Sequence, residues 1–368
     1  MTSLFRIIPI IVVGLILSGC DYQLLYPSGD IAVQQRDLII YSTVLMLIVI
    51  IPVIGLTLFF AWRYRESNTA ATYEPEWDHS ISLEVVIWAV PLAIIICLGS
   101  LTWVATHRLN PYDDLRRIAA DTPINENVEP LQIQVVSMDW KWAFIYPQYD
   151  IATVNEAATI VDRPIEFKIT SNSVMNAFFV PSMAGMIYAM AGMETELNAV
   201  MNKPGKVQGF AGQYSGAGHS HMYFDFHTFD EDGFDAWVSK VRAEANEPML
   251  TRDEFLKLAE PTENHPVTYF ASVEELVWDR IINMCVGYDR LCQNDMMMVD
   301  ALGGGGLEGL VNREMFAGIC SVEDPGVVLA LIRKNREWNS EDILAAMSEP
   351  VAAPMTSLDA AQQHTLEN

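Results

Sequence analysis

The chain has 368 residues, 22 basic and 47 acidic, with a formal charge of −25. That balance argues against a nucleic-acid partner, because neutralising phosphates takes an excess of Lys and Arg. Hydrophobic residues make up 51% and the mean hydropathy is +0.18. Through Asn110 there are 5 basic and 8 acidic residues, a net of −3; the remainder holds 17 and 39, a net of −22. An apolar, nearly uncharged first part joined to an acidic, water-facing body excludes a single soluble domain and a polytopic transporter. The acidic part is long enough to bury a core.

The first apolar run, Ile7–Leu17, follows Arg6 and ends in Leu17-Ser18-Gly19-Cys20. A short apolar stretch before small residues predicts a secretory signal over 1–19. Small residues ending at a Cys resemble the lipobox of bacterial lipoproteins. That resemblance implies that Cys20 is lipid-modified and opens the mature chain; the alternative is an uncleaved anchor. The mature N-terminal segment would be 20–37. Leu38–Trp62 is a 25-residue run without a charge, about 37 Å of helix and enough to cross a bilayer with some tilt. Pro52 should kink it, which membrane helices tolerate. Val85–Thr106 adds 22 residues, about 33 Å. Trp62, Trp88 and Trp103 lie towards the ends, where amphipathic rings prefer to sit.

Two spans with a short connection predict a transmembrane hairpin over 38–109. The lipobox would put both ends of the mature chain outside the cytoplasm. Arginines flank both sides, so the positive-inside rule decides little. Glu84 stands at the mouth of the second span. It reads either as an interfacial carboxylate suited to a helix N-terminus or as the entrance of a proton pathway, since acids near membrane depth are costly and often functional.

Residues 110–130 are polar and predict a linker. From Leu131 the texture alternates with period two. Leu131–Val135, Trp140–Phe144, Ile165–Ile169, Lys206–Phe210 and Met222–Phe226 predict short strands separated by turn residues such as Pro204-Gly205 and Gly216–Gly218. Many short strands at this spacing suggest a sandwich or barrel. After Phe234 the spacing turns helical, over Phe234–Val241, Arg252–Ala259 and Val273–Val286. A helical extension is expected over 239–346 and a disordered tail over 347–368.

Certain segments together resemble subunit II of haem–copper respiratory oxidases, and more closely its ubiquinol-oxidising, cytochrome bo-type branch. They are the lipobox, His79…Glu84…Trp88…Pro91, Met138-Asp139-Trp140-Lys141-Trp142, Ser171-Asn172-Ser173-Val174-Met175-Asn176, Tyr188–Met193 and Tyr214-Ser215-Gly216-Ala217-Gly218. The likeness runs from about Gly19 to Val286. It implies a membrane-anchored α+β chain: a helical hairpin, a cupredoxin-like β-sandwich over 131–238 and a mostly helical C-terminal extension. In the cytochrome c branch this sandwich carries two coppers bridged by two Cys thiolates, soft donors suited to copper. Here no Cys lies between Cys97 and Cys285. Tyr214 stands where the first Cys would be, the second is deleted, and Asn176 replaces one His; His219 and Met222 keep the other His and the Met. These four are degenerate copper-site positions, not expected to bind metal.

The resemblance therefore implies no cofactor in this chain. Haems, catalytic copper and the main ubiquinol site fall to the partner subunit I. Other oxidase subunits and membrane lipids are the remaining partners, and the localisation is a bacterial inner membrane with the C-terminal domain in the periplasm. It gives Glu84 the role of the carboxylate at the entrance of the lysine proton pathway. The alternatives are a copper-bearing subunit II of a cytochrome c oxidase, or a structural membrane lipoprotein with a cupredoxin-like domain.

Other features carry weaker signals. His219, His221 and His227 would bind a stray metal if they faced one way on a strand; otherwise the first two sit in or beside a polar loop. Met183, Met186, Met190 and Met193 read as core filling before copper trafficking. Trp140 and Trp142 fall two apart, on one strand face, and read as packing. The acidic surface serves solubility or docks a basic protein. Cys285, Cys292 and Cys320 permit one disulfide of three possible pairings in an oxidising compartment.

Overall fold

The computed structural model describes residues 24–297 except 73, 75, 126, 127, 289–291 and 295. The expected signal, Cys20, Cys320, the later part of the extension and the tail lie outside the described residues.

Two long helices come first: α1 (Asp30–Arg63) and α2 (Ile81–Arg108). Both are apolar all round, and α2 buries no residue within the chain while α1 buries only Asp30 and Ala32. A helix apolar on every face needs an apolar solvent, so the two fit membrane spans. Each overruns its charge-free segment at both ends, and α1 begins at Asp30 rather than near Leu38. That first turn is anchored to the water-soluble body. Ser28 and Gly29 donate backbone N–H bonds to the Ser182 carbonyl at 2.9 and 2.8 Å, and Ala32 donates to that of Met183 at 3.3 Å. The Arg117 guanidinium donates to both carboxylate oxygens of the buried Asp30, at 2.9 and 3.1 Å. Gly29 is required for this approach: a Cβ there would meet the Val200 and Met183 carbonyl oxygens at 2.5 and 2.7 Å.

The segment expected as a linker contains a small hairpin, β1 (Arg117–Ala119) with β2 (Thr122–Pro123). The body is a two-sheet sandwich. One sheet contains β3 (Leu131–Met138), β4 (Lys141–Tyr146), β5 (Ile151–Val154), β7 (Pro164–Ser171), β10 (Thr195–Val200) and β13 (Thr268–Phe270), in the order β10-β7-β3-β4-β5-β13. The other contains β6 (Glu156–Ile160), β8 (Asn176–Phe179), β9 (Ile187–Ala189), β11 (Gly205–Ala211) and β12 (Tyr223–Phe229), in the order β6-β12-β11-β8-β9. Most pairs are antiparallel; β3–β7 and β6–β12 are parallel.

Alternation assigns side chains to two cores. Leu131, Ile133, Val135, Trp142, Phe144 and Tyr146 point between the sheets. There Trp142, Phe144, Phe178 and Phe224 form a ring cluster, with Phe178 stacked on Phe224 at 5.3 Å. Val136, Met138, Ala143 and Ile145 point the other way. They are covered by the extension, through Leu250, Phe255, Leu258, Phe270, Val277 and Ile281. This is why β4 and β5 are buried along their whole length.

Three helices complete the described part: α3 (Glu231–Ala243), α4 (Arg252–Leu258) and α5 (Val277–Ile282). In α3, Phe234, Trp237, Val238 and Val241 are buried at helical spacing, and the Asp230 side chain caps the Gly233 N–H. The helix expected over Val273–Val286 is shorter, ending at Ile282. The described extension also contributes a strand, β13, to the sandwich.

Candidate functional site

Glu84 lies in the first turn of α2, where a carboxylate suits the positive end of the helix dipole. The His79 ring, just before the helix, places Nδ1 2.6 Å from Glu84 Oε1. Both side chains are half exposed. The spacing presents a carboxylate–imidazole contact at the end of an apolar helix long enough to span a membrane.

The four degenerate copper positions gather at one end of the sandwich, and their chemistry does not fit a copper pair. Asn176 opens β8, and its Nδ2 donates to Ser137 Oγ at 2.7 Å, so its amide nitrogen is no ligand. Tyr214 is 76% exposed, with its ring edge-on to His219 at 5.5 Å. Met222 is buried, and the Ser215 hydroxyl contacts its sulfur at 3.8 Å. His219 Nδ1 is buried without a hydrogen-bond partner among the described residues. One imidazole, one thioether and the unpartnered amide oxygen of Asn176 remain as donors. They cannot replace two bridging thiolates.

Trp140 covers this end. It is not on the strand face with Trp142, as the spacing suggested. It occupies the two-residue turn between β3 and β4 with φ +66°. Its indole N–H donates to the Ser215 carbonyl at 3.1 Å, and its ring lies flat on Gly218, where a Cβ would come within 2.4 Å. Trp142 is fully buried in the core. His219 and His221 lie in a 3-10 turn (Ala217–His221), not on a strand, and His227 lies on β12. No group of three or more His, Cys, Asp or Glu suited to a metal occurs among the described residues. Of the methionines, Met183 is buried, whereas Met186 and Met193 are about half exposed.

A second charged centre joins sandwich and extension, and the sequence reading missed it. Glu156 on β6 is 9% exposed. Its Oε1 accepts from Trp237 Nε1 at 2.8 Å and from the Tyr269 hydroxyl at 2.9 Å. Lys240 donates to the Tyr269 hydroxyl at 3.1 Å. His227 Nε2 lies 3.9 Å from Glu156 Oε2. Burial holds the His227 pKa below the usual histidine value, against the pull of Glu156. Burial also pushes the Tyr269 hydroxyl up. Lys141, fully buried on β4, donates to the Glu260 carbonyl at 2.7 Å, and desolvation lowers its pKa. The only sequence signal for Glu156 was one acid within a run of apolar and small residues. Cys285 and Cys292 are each disulfide-bonded, and Cys97 is free.

Several known proteins are similar to this chain in sequence. Residues 245–288, the part of the extension that covers the sheet, match the family described as COX Aromatic Rich Motif. The cytochrome bo(3) ubiquinol oxidase subunit 2 of Pseudomonas aeruginosa is 47% identical over 269 residues, 73% of this chain and 78% of that protein. The ubiquinol oxidase subunit 2 of Acetobacter aceti is also 47% identical over 269 residues, 73% of this chain and 84% of that protein. Among solved structures, the periplasmic domain of cytochrome oxidase subunit II of Bradyrhizobium japonicum aligns at 22% identity, covering 30% of this chain and 91% of that domain, with a TM-score of 0.29. Identity of 47% over 269 residues settles the branch: this chain belongs to the subunit 2 family of ubiquinol oxidases.

Proposed function

We propose that the chain is the non-catalytic second subunit of a proton-pumping ubiquinol oxidase in a bacterial inner membrane, anchored by two helices and by a lipid on Cys20. Ubiquinol is oxidised, and oxygen reduced to water, on the partner subunit I, which carries the haems and copper. The observation that carries this reading is the donor set at the end of the sandwich. With no thiolate between Cys97 and Cys285, the sandwich offers electrons no metal to pass through. Metal analysis of the purified complex tests it: copper in excess of the partner subunit's catalytic copper, with a near-infrared copper band, would overturn it, and haem co-purifying without such excess copper supports it.

Within that assembly the chain's own chemistry is proton uptake at Glu84. The His79 imidazole 2.6 Å away can exchange a proton with the carboxylate and hold it in place. Glu84→Gln should slow oxygen reduction severalfold while the complex still assembles with its haems. Unchanged turnover in that variant would remove the assignment.

A further inference from the structure

Where the membrane helices meet the sandwich, the structure contains a cavity of about 210 Å³. One water needs only about 10–15 Å³ by the same kind of measure. The cavity is lined by the first turns of α1, by the end of α2 with the segment after it, and by residues of the β8–β9 loop and β10. Its depth follows from the sequence. Arg108 lies two residues beyond the charge-free run of α2, and Ile31 lies seven residues before that of α1. At 1.5 Å per residue the cavity reaches from about 3 to about 10 Å beyond the apolar core. That range overlaps the outer part of the headgroup layer, about 5–7 Å thick on each side of a bilayer, and extends just beyond it.

Arg117 and Asp30 line the cavity but are spent on each other. The other charged lining residues are Arg108, Arg116, Asp113 and Asp114. The side chains of Arg108, Arg116 and Asp114 form no hydrogen bond or ion pair with any described residue, and the Asp113 carboxylate only accepts from the Asn110 side-chain amide at 2.9 Å. Two cations and two anions thus share one cavity without neutralising each other, beside apolar Ile31 and Leu115. A simple anion would have to sit against two carboxylates, and a simple cation against two guanidiniums. A zwitterion satisfies both pairs.

We propose that this cavity binds the headgroup of a phospholipid bearing a phosphodiester and a primary ammonium, that is, phosphatidylethanolamine. Arg108 and Arg116 take the phosphate, matching its geometry with planar forks. Asp113 and Asp114 take the ammonium. The apolar wall receives the glycerol end, and the acyl chains run down beside the helices. The site is distinct from Glu84, which lies at the other end of α2.

The test is lipid retention by the full chain in its complex, extracted in mild detergent, placed in nanodiscs of equal phosphatidylethanolamine and phosphatidylglycerol, and re-extracted for lipid quantification. The wild type should retain phosphatidylethanolamine over phosphatidylglycerol. Arg108→Gln with Arg116→Gln should lower retention by about fivefold per arginine. Arg108→Lys with Arg116→Lys should keep most of it. Asp113→Asn with Asp114→Asn should abolish the preference between the two lipids. Soluble glycerophosphoethanolamine at equal concentration should not displace the lipid; displacement would make the ligand a soluble phosphate compound and overturn the assignment. Equal retention of both lipids by the wild type, or undiminished retention by the Arg→Gln pair, would also overturn it. The four residues are exposed, and the one structural partner among them is the Asn110 amide on Asp113, so the variants should fold; retained haem checks this.

Discussion

Removing the buried carboxylate Glu156 should unfasten the extension from the sandwich. Its Oε1 receives the Trp237 indole and the Tyr269 hydroxyl at 2.8 and 2.9 Å, from α3 and β13 respectively. Hydrogen bonds to a charged group contribute about 1.5–3 kcal/mol each, and truncation leaves two buried donors without an acceptor. Glu156→Ala should therefore cost about 3–5 kcal/mol, the range for breaking a buried charged contact. For a domain of this size that is a fall in melting temperature of roughly 10 °C. Glu156→Gln keeps a carbonyl acceptor and loses only the charge, so it should cost less, about 1–2 kcal/mol. The assay is tryptophan fluorescence of the detergent-solubilised full chain during heating. Trp237 reports directly, because its ring lies 5.4 Å from Tyr146 in the core. A Glu156→Ala protein melting within about 2 °C of the wild type would refute the reasoning, as would Gln falling below Ala.

Tyr146→Phe should cost about 1–3 kcal/mol, because the buried hydroxyl both donates to the Ala158 carbonyl and accepts from its N–H at 3.0 and 2.8 Å; urea unfolding measures it. Gly29→Ala should speed proteolysis of the segment before α1, since the new methyl group would strike two backbone carbonyls that cannot turn aside. The pH profile of stability should fall on the acid side of neutrality. His227 and His265 are both held below the usual histidine value by burial, His227 facing Glu156, Lys206, Asp225 and Lys240, and His265 facing Lys141. Below about pH 6.5 the unfolded chain binds protons that the folded chain refuses, so their contribution is complete above that pH and is lost as the pH falls through the depressed values. His227→Gln should flatten part of that slope in a thermal melt series.

The elements legible in the sequence were those whose pattern was local. The two charge-free runs became α1 and α2, and the alternation at Leu131–Val135 became β3. Strands β5 and β6 were not seen, because they are buried on both faces and therefore do not alternate. For β5 the second face is covered by the extension, a contact no window of sequence contains. Trp140 was misplaced for a related reason: a bulky residue at positive φ is rare, and only the packing of its ring on Gly218 explains why it stands in the turn. At the candidate site, Glu84 was legible from its place at the mouth of an apolar run. Its partner His79 was quoted as part of a motif, but the contact between them needed coordinates. Glu156 was invisible because its three partners lie 71 to 113 positions away.

In a sandwich of this kind, a metal would tie together the loops at one end by drawing ligands from each. In this chain hydrogen bonds from non-ligand residues join the same loops. Asn176 Nδ2 ties β8 to Ser137 on β3, and Ser173 Oγ ties the loop before β8 to Asp139 at 2.6 Å. The Trp140 indole ties that same β3–β4 turn to the Ser215 carbonyl of the loop that holds Tyr214 and His219. Each bond contributes only about 0.5–1.5 kcal/mol, but all three converge on β3 or the turn that ends it, and the Trp140 ring excludes water from Gly218. Order at this end thus depends on contacts indifferent to redox state. A copper site would have to supply two thiolates that this loop does not contain, and would have to form without breaking the Trp140 bond to Ser215 that holds the loop in place.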